Sequence, residues 1–210
     1  MNPTAFFKMT YGLFVLTAKE NGFDNGCIIN TAIQVAENPI RVSVSVIQQN
    51  KTCDMIKATG EFNLSALSEK AVFSTFQRFG MQSGRNVDKF ADFEGAKRMA
   101  NGILTVTEGT NMYMTCKVTE SFDLGTHMLF IAEVTDGDVL DDITPSCTYT
   151  YYQTSIKPKP APVKKKAWVC SICGYVYEGD EVPDDFECPL CHHGKKDFVL
   201  LDPDAPAPEK

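Results

Sequence analysis

Four cysteines near the C-terminal end have the spacing of a metal site. They form two Cys-x-x-Cys pairs, Cys170 with Cys173 and Cys188 with Cys191, and fourteen residues separate the pairs. Two such pairs can bring four thiolates to one tetrahedral metal ion, and both iron and zinc accept this ligand set. Spacing alone does not decide between an iron centre that carries electrons and a structural zinc ribbon.

The acidity of the chain is concentrated in the segment that holds these cysteines. Residues 168–210 contain ten acidic residues and three lysines, which accounts for the whole net charge of −7, whereas residues 1–167 carry seventeen charges of each sign. Such acidity disfavours nucleic acid as a partner. It favours a protein partner with a basic docking face, and the alternative is an acidic surface that serves solubility alone.

The bulk composition leaves room for two domains in 210 residues, of which 43% are hydrophobic. No apolar run is long enough to cross a bilayer. The apolar stretch 11–16 lies between Lys8 and Lys19 and has no cleavage-like end. Four further cysteines stand singly in apolar sequence (Cys27, Cys53, Cys116, Cys147). We therefore expect no membrane association and a cytoplasmic location, where thiols stay reduced.

A change of composition divides the chain. Residues 157–167 are rich in proline and lysine, which predicts an extended, semi-rigid linker. The predicted organisation is a domain over residues 1–156, this linker, a small metal domain over residues 168–201 and a disordered tail over residues 202–210.

The N-terminal domain has the pattern of a β protein. Alternating or β-branched segments predict strands at residues 12–18, 26–34, 40–47, 62–67, 103–107, 112–119 and 127–135. Helices are predicted at residues 2–9, 52–59 and 69–79. This pattern is typical of an antiparallel β-barrel with a few added helices. No Gly-x-Gly-x-x-Gly follows a strand, so a Rossmann nucleotide domain is not indicated.

Residues 2–156 resemble the flavin reductase-like, FMN-binding split-barrel family. The resemblance depends on the order and spacing of several segments: 11–17, 25–32, 41–46, 50–52, 60–62, 79–90 and 127–134. It implies an antiparallel split barrel that binds FMN and accepts a hydride from NADH or NADPH. It also implies a homodimer that shares its flavin sites across the interface.

The resemblance places the FMN phosphate at Asn50, Lys51 and Thr52. Amide, ammonium and hydroxyl groups at the start of a predicted helix suit a phosphate, although such a tripeptide is also an ordinary strand-to-helix turn. Arg85 and Lys89 would hold the phosphate or an anionic reduced ring. The alternative for both is a solvated basic loop.

The remaining implied flavin contacts lie elsewhere in the chain. Asn30, Thr31 and Ala32 resemble the strand edge that meets the flavin ring and its ribityl chain, and the alternative is a half-buried strand. His127 would lie near the flavin and the nicotinamide entry, or be a structural histidine. Tyr152 would pack on the ring or complete the core.

Residues 168–191 are similar to rubredoxin, in which four cysteines hold one iron inside an aromatic core. The matching aromatic residues are Trp168, Tyr175, Tyr177, Phe186 and Phe198. Two features depart from that family. The spacer between the cysteine pairs is short, and His192 stands where the family usually has glycine. His192 and His193 are therefore either exposed side chains or additional ligands.

The whole chain resembles the high-molecular-weight rubredoxins, which fuse these two domains. A flavin converts a two-electron hydride donor into a one-electron donor, and zinc has no redox role, so the fusion favours iron. The implied route runs from NADH or NADPH through FMN to Fe(Cys)4 and then to a partner, typically a flavodiiron protein that reduces dioxygen or nitric oxide. The alternatives are a reductase that releases reduced flavin and docks through a zinc ribbon, and a pure electron carrier without nicotinamide activity.

Overall fold

The computed structural model describes residues 2–159 and 167–201. The chain divides into two compact units, residues 1–156 and residues 157–210. Most of the predicted linker (160–166) and the predicted disordered tail (202–210) lie outside the described residues. No helix in the described part of the chain is long and apolar enough to cross a membrane.

The described part of the first unit contains nine strands. They are β1 (Phe14–Glu20), β2 (Phe23–Ile29), β3 (Ile33–Glu37), β4 (Ile40–Ile47), β5 (Glu61–Leu67), β6 (Ala96–Arg98), β7 (Leu104–Val106), β8 (Thr110–Asp123) and β9 (His127–Val139). Seven of them form one antiparallel sheet in the order β2-β1-β5-β8-β9-β4-β3, and β6 pairs with β7. The prediction of a mainly β fold is confirmed.

The two edges of this sheet are consecutive in sequence. Only residues 30–32 separate the end of β2 from the start of β3, and four Cα-to-Cα steps reach about 14 Å at most. The sheet must therefore curl until its edges approach one another, as in a split barrel. The single strand predicted over residues 26–34 is broken at this connection, and its two halves become opposite edges.

The interior of the curled sheet is built from alternating residues. On β4, Val42, Val44 and Val46 are buried while their neighbours face the other side. Cys53, Met55 and Ile56 of α1 (Lys51–Thr59) pack into the same core. The core therefore fixes the face that α1 presents and, with it, the position of the turn between β4 and α1.

Local sequence and backbone conformation explain where the two main helices begin and end. Asn50 caps the N-terminus of α1, where its side chain accepts the Thr52 N–H, and Gly60 caps the C-terminus with φ of 71°. α2 (Phe73–Gly80) begins four residues later than predicted, because Val72 is extended and Ser68 bridges to Ser146.

Two shorter helical segments flank the barrel strands in sequence. α3 (Tyr149–Tyr151) continues as a π-helical turn over Tyr152–Ile156. The N-terminal helix predicted over residues 2–9 is a 3-10 helix, Pro3–Lys8.

The second unit is a small three-stranded sheet. Its strands are β10 (Ala167–Cys170), β11 (Val176–Glu178) and β12 (Phe198–Leu201), arranged in the order β11-β10-β12, and a 3-10 turn covers Lys195–Asp197. β10 ends at the first of the four clustered cysteines, so this sheet holds one cysteine pair in place.

Candidate metal and flavin sites

The four predicted metal ligands converge. The sulfurs of Cys170, Cys173, Cys188 and Cys191 all lie within 4.8 Å of one another and are buried. The Cys170 and Cys191 sulfurs are 3.6 Å apart, and those of Cys173 and Cys188 are 3.4 Å apart. Metal–sulfur bonds of about 2.3 Å in a tetrahedron place sulfurs about 3.8 Å apart. This donor set fits one tetrahedral metal ion.

The two cysteine pairs have the same backbone turn. The N–H of Gly174 donates to the carbonyl of Cys170 at 2.8 Å, and the N–H of His192 donates to that of Cys188 at 2.8 Å. Both residues are in the left-handed region, with φ of 82° at Gly174 and 58° at His192. In the second turn, His192 therefore adopts a conformation that glycine adopts without steric cost.

Backbone N–H groups surround the sulfurs. They donate to Cys173 from Tyr175, to Cys188 from Leu190 and Cys191, and to Cys191 from His193. Burial raises the pKa of Cys173 to about 12. Burial acts in the same direction on Cys188, but the donated hydrogen bonds outweigh it and hold the pKa of that thiol below its ordinary value. N–H donors of this kind adjust the reduction potential of a redox-active metal held by thiolates.

The two histidines after the last ligand do not join the metal cluster. The cluster found among the described residues holds the four cysteines alone. The His193 ring lies 2.9 Å from the Cys191 carbonyl through Nδ1, and His192 Nδ1 lies 3.9 Å from the Glu187 carboxylate. Both histidines are exposed, so the interpretation as exposed side chains holds.

An aromatic cluster supports the metal site, as the sequence predicts. Phe186 packs edge-on against Tyr177 and Phe198, with ring centroids 4.7 and 5.4 Å away, and stacks with Tyr175 at 6.3 Å. The Trp168 ring nitrogen is buried without a hydrogen-bond partner in the described part of the chain.

The predicted phosphate residues lie in the turn between β4 and α1. Asn50 caps the helix and Lys51 is its first residue, while the buried Thr52 hydroxyl accepts a hydrogen bond from the Asn25 amide at 3.0 Å. The start of α1 thus presents an amide, an ammonium and a hydroxyl at one place. Asn25, on β2, is a contact that sequence reasoning missed.

Arg85 reaches the same turn from the loop after α2. Its guanidinium donates to the Gln49 carbonyl, with Nη2 at 3.2 Å, and to the Asp54 carboxylate at 2.6 Å. Lys51 forms a second ion pair, with Glu20 at 2.9 Å. Sequence reasoning missed both carboxylates, and only the placement of Asp54 in the first turn of α1 could have indicated one.

A cavity of about 440 Å³ lies beside these two cations. Its lining includes Lys51, Arg85, Asn25, Gly84 and Met55. This volume is within the range of small-molecule sites, roughly 300–1,000 Å³.

The connection between β2 and β3 approaches β4. The Thr31 hydroxyl donates to the Ser45 carbonyl at 2.7 Å and accepts the Ser45 N–H at 3.3 Å. Ala32 packs against the barrel core. The Asn30 side chain has no hydrogen-bond partner among residues 2–159 and 167–201, so it leaves an amide available at this edge.

His127 lies next to the same end of β4. It is the first residue of β9 and pairs with Ile47, and its Nδ1 is 2.8 Å from the Thr126 hydroxyl. The Gln48 N–H donates to the Thr126 carbonyl at 3.0 Å. The structure therefore brings His127, the predicted phosphate residues and Arg85 to one turn.

Lys89 is buried in the interior. Its ammonium donates to the carbonyls of Gly26 at 2.9 Å and Phe79 at 3.1 Å, and the side chain is 2% exposed. Burial lowers the pKa of Lys89 to about 8. Burial likewise raises the pKa of the neighbouring Cys27 to about 11. Lys89 therefore ties β2 to the end of α2.

Tyr152 has a different set of neighbours from the turn residues. Its ring packs on Phe76, with centroids 4.4 Å apart, and lies 6.3 Å from the Tyr149 ring. The buried tyrosine thus joins α2 to the π-helical turn.

Comparisons with known families and proteins show what each part of the chain resembles. Residues 6–159 match the flavin reductase like domain family, and residues 168–199 match the rubrerythrin, rubredoxin-like domain family. A high molecular weight rubredoxin of Moorella thermoacetica is 34% identical over 231 residues, covering 96% of the chain and 100% of the relative.

Two further proteins are similar to the first unit. A ferric-chelate reductase (NAD(P)H) of Archaeoglobus fulgidus is 33% identical over 159 residues, covering 76% of the chain and 93% of the relative. An NADH:FAD oxidoreductase of Streptomyces globisporus, solved with NAD and FAD fragments, superposes with a TM-score of 0.60 at 18% identity, covering 69% of the chain and 83% of that protein. The second comparison bears on the fold alone.

Proposed function

The chain belongs to the flavin reductase-like family and carries a rubredoxin-like domain, as high-molecular-weight rubredoxins do, and we propose that it passes electrons from NADH or NADPH through FMN to iron held by four cysteines. It is an oxidoreductase that serves flavin-linked electron transfer. The proposal is carried by one observation: a flavin reductase-like unit and four convergent buried sulfurs occur in the same chain.

The chemistry of the two groups favours iron over zinc. A bound flavin accepts a hydride from a nicotinamide and releases single electrons, and an iron–thiolate centre accepts one electron. Zinc does not change its oxidation state, so it would leave the flavin without an outlet in this chain. With iron bound, the N–H donors to Cys173, Cys188 and Cys191 would tune its reduction potential.

The turn between β4 and α1 fits an FMN phosphate. The helix N-terminus, the Thr52 hydroxyl and the two cations Lys51 and Arg85 are the donors that a phosphate needs. In this proposal Lys51 and Arg85 each bind the phosphate while they keep their ion pairs with Glu20 and Asp54. Asn30, Thr31, Ala32 and His127 would contact the rest of the flavin.

For Lys89 and Tyr152 we propose indirect roles, in contrast to the direct flavin contacts proposed for the other residues. Lys89 would act on the flavin through the β2 backbone to which it donates, since its ammonium is already shared by two carbonyls. Tyr152 would act by packing α2 against the π-helical turn.

The final acceptor is proposed to be a flavodiiron protein with a basic docking face. Ile172 and Leu190 lie inside the two cysteine turns and are 40% and 38% exposed. Acidic residues lie between the two cysteine turns in sequence, including Asp184, Asp185 and Glu187. Charge complementarity would speed the encounter with a basic partner.

We further propose that the first unit forms a homodimer. Ile33, Ile47 and Phe122 are 65%, 52% and 48% exposed, and all three lie on the face of the sheet opposite the buried valines of β4. An exposed apolar face of this kind favours a protein interface.

The experiment is an anaerobic addition of NADH, and separately of NADPH, followed at the flavin and iron absorbances. Both centres should bleach. Cys188→Ser should still reduce flavin but lose transfer to the acceptor, whereas Cys147→Ala, which removes a cysteine outside the cluster, should retain both. Bleaching of neither centre would leave only the electron-carrier alternative. Loss of flavin reduction in Cys188→Ser would contradict separate roles for the two units.

A further inference from the structure

Lys157, the first residue of the second unit, reaches the metal-binding cysteines. Its ammonium donates to the Ser171 carbonyl at 2.9 Å. Ser171 lies between Cys170 and Cys173, so the hydrogen bond attaches this lysine to the first cysteine turn. Lys157 belongs to no motif of the metal site in the sequence, and it lies eleven residues before the start of the rubredoxin-like match.

The backbone beside Lys157 is held against the same turn. A Cβ placed on Gly174 would lie 3.1 Å from the Pro158 carbonyl, so the glycine permits this close approach. Pro158 also restricts Lys157 to extended conformations. The position of the lysine is therefore set by a backbone contact and a side-chain hydrogen bond, and both involve the first cysteine turn.

The charge of Lys157 acts on the cysteines and not on a carboxylate. Within the described ranges Lys157 forms no ion pair with an acidic side chain. Burial lowers the pKa of Lys157, and negative charge on Cys173, Cys170 and Cys191 raises it. The lysine is therefore electrostatically coupled to three of the four ligands.

We propose that Lys157 sets the reduction potential of the four-cysteine centre by stabilising its reduced form. This inference rests on the proposed function, in which the metal is iron. One electron, supplied by dithionite in the assay, takes the ferric site with one net negative charge to the ferrous site with two, and no bond forms or breaks. A nearby fixed cation stabilises the second charge more than the first.

The test is a spectroelectrochemical titration of the full-length iron protein and its variants. In Lys157→Met the ratio of reduced to oxidised iron at a fixed potential should fall about tenfold, which equals a midpoint lower by about 59 mV. Lys157→Arg keeps the charge and should stay within about twofold of the wild type. Lys159→Met is the matched control, because it removes the same charge from an exposed lysine two residues away.

A second neutral variant separates charge from local structure. Lys157→Gln retains a donor for the Ser171 carbonyl and should shift the potential as Lys157→Met does. Equal potentials in Lys157→Met and Lys159→Met, or loss of iron from both neutral variants, would overturn the inference. Zinc in the purified wild-type protein would instead contradict the proposed function, so the two failures are distinguishable.

Discussion

Replacing His192 with glycine should stabilise the second unit. His192 follows the last metal ligand and has φ of 58°, the left-handed region that glycine adopts freely. Gly174 occupies the matching position in the first turn, with φ of 82° and the same hydrogen bond to a cysteine carbonyl. The change therefore makes the second turn chemically like the first.

The magnitude follows from two opposing effects. A non-glycine residue in the left-handed region costs about 1–2 kcal/mol. Glycine costs about 0.5–1 kcal/mol more than other residues in conformational entropy on folding. His192 and Glu187 are exposed side chains whose Nδ1 and carboxylate oxygen lie 3.9 Å apart, so their contact adds little to the free energy of unfolding. The expected net gain in the free energy of unfolding is about 0.5–1 kcal/mol.

Urea unfolding followed by tryptophan fluorescence measures this gain selectively. Trp168 is the single tryptophan of the chain and lies in the second unit. With an m-value of about 1 kcal/mol/M, the midpoint should rise by roughly 0.5–1 M. His193→Gly is the control and should lower the midpoint, because His193 is outside the left-handed region and would lose its contact with the Cys191 carbonyl. An unchanged or lower midpoint in His192→Gly would refute the reasoning.

Three further predictions follow from the same geometry. Gly174→Ala should lower the urea midpoint of the second unit by an amount equivalent to about 1–2 kcal/mol, since alanine would be strained at φ of 82° and would crowd the Pro158 carbonyl. Lys51→Met should raise the Kd for FMN about tenfold in a fluorescence titration; Lys57→Met, which removes an exposed lysine from the same helix, should leave it unchanged, and equal effects would argue against the phosphate position. Lys89 has a pKa near 8 when folded against 10.5 ordinarily, because burial disfavours its charge, so between these values the unfolded chain binds more protons and stability rises with pH. Between pH 8 and 9 the wild-type free energy of unfolding should therefore rise relative to Lys89→Met by up to about 1.4 kcal/mol, and parallel pH curves would contradict this account of Lys89.

Local patterns in the sequence predict most of the fold. The valines of β4 alternate as a half-buried strand requires, and the predicted 40–47 segment coincides with β4 (Ile40–Ile47). The helix predicted over residues 52–59 starts one residue early, at Lys51, because the Asn50 side chain caps α1. The predicted strand over residues 26–34 failed at Thr31, whose hydroxyl donates to the Ser45 carbonyl of the neighbouring strand β4, where the chain passes from one edge of the sheet to the other. Closure of a sheet is a tertiary event that strand periodicity does not encode.

The sequence predicts the whole set of metal ligands but only part of the candidate flavin site. Four cysteines at short spacing determine their own convergence. By contrast, the partners of Lys51 and Arg85 come from Glu20 and Asp54, and both ion pairs span 31 residues of sequence. Lys157 is also invisible to motif reasoning, because it lies in a proline- and lysine-rich segment that predicts only a linker.

Electron counting on the purified protein tests the central claim most directly. Iron and FMN contents are measured first, and the oxidised protein is then titrated anaerobically with NADH or NADPH. One FMN takes two electrons and one iron takes one, so complete bleaching should require about 1.5 equivalents of nicotinamide per chain. An end point near one equivalent, with zinc in place of iron, would contradict the account.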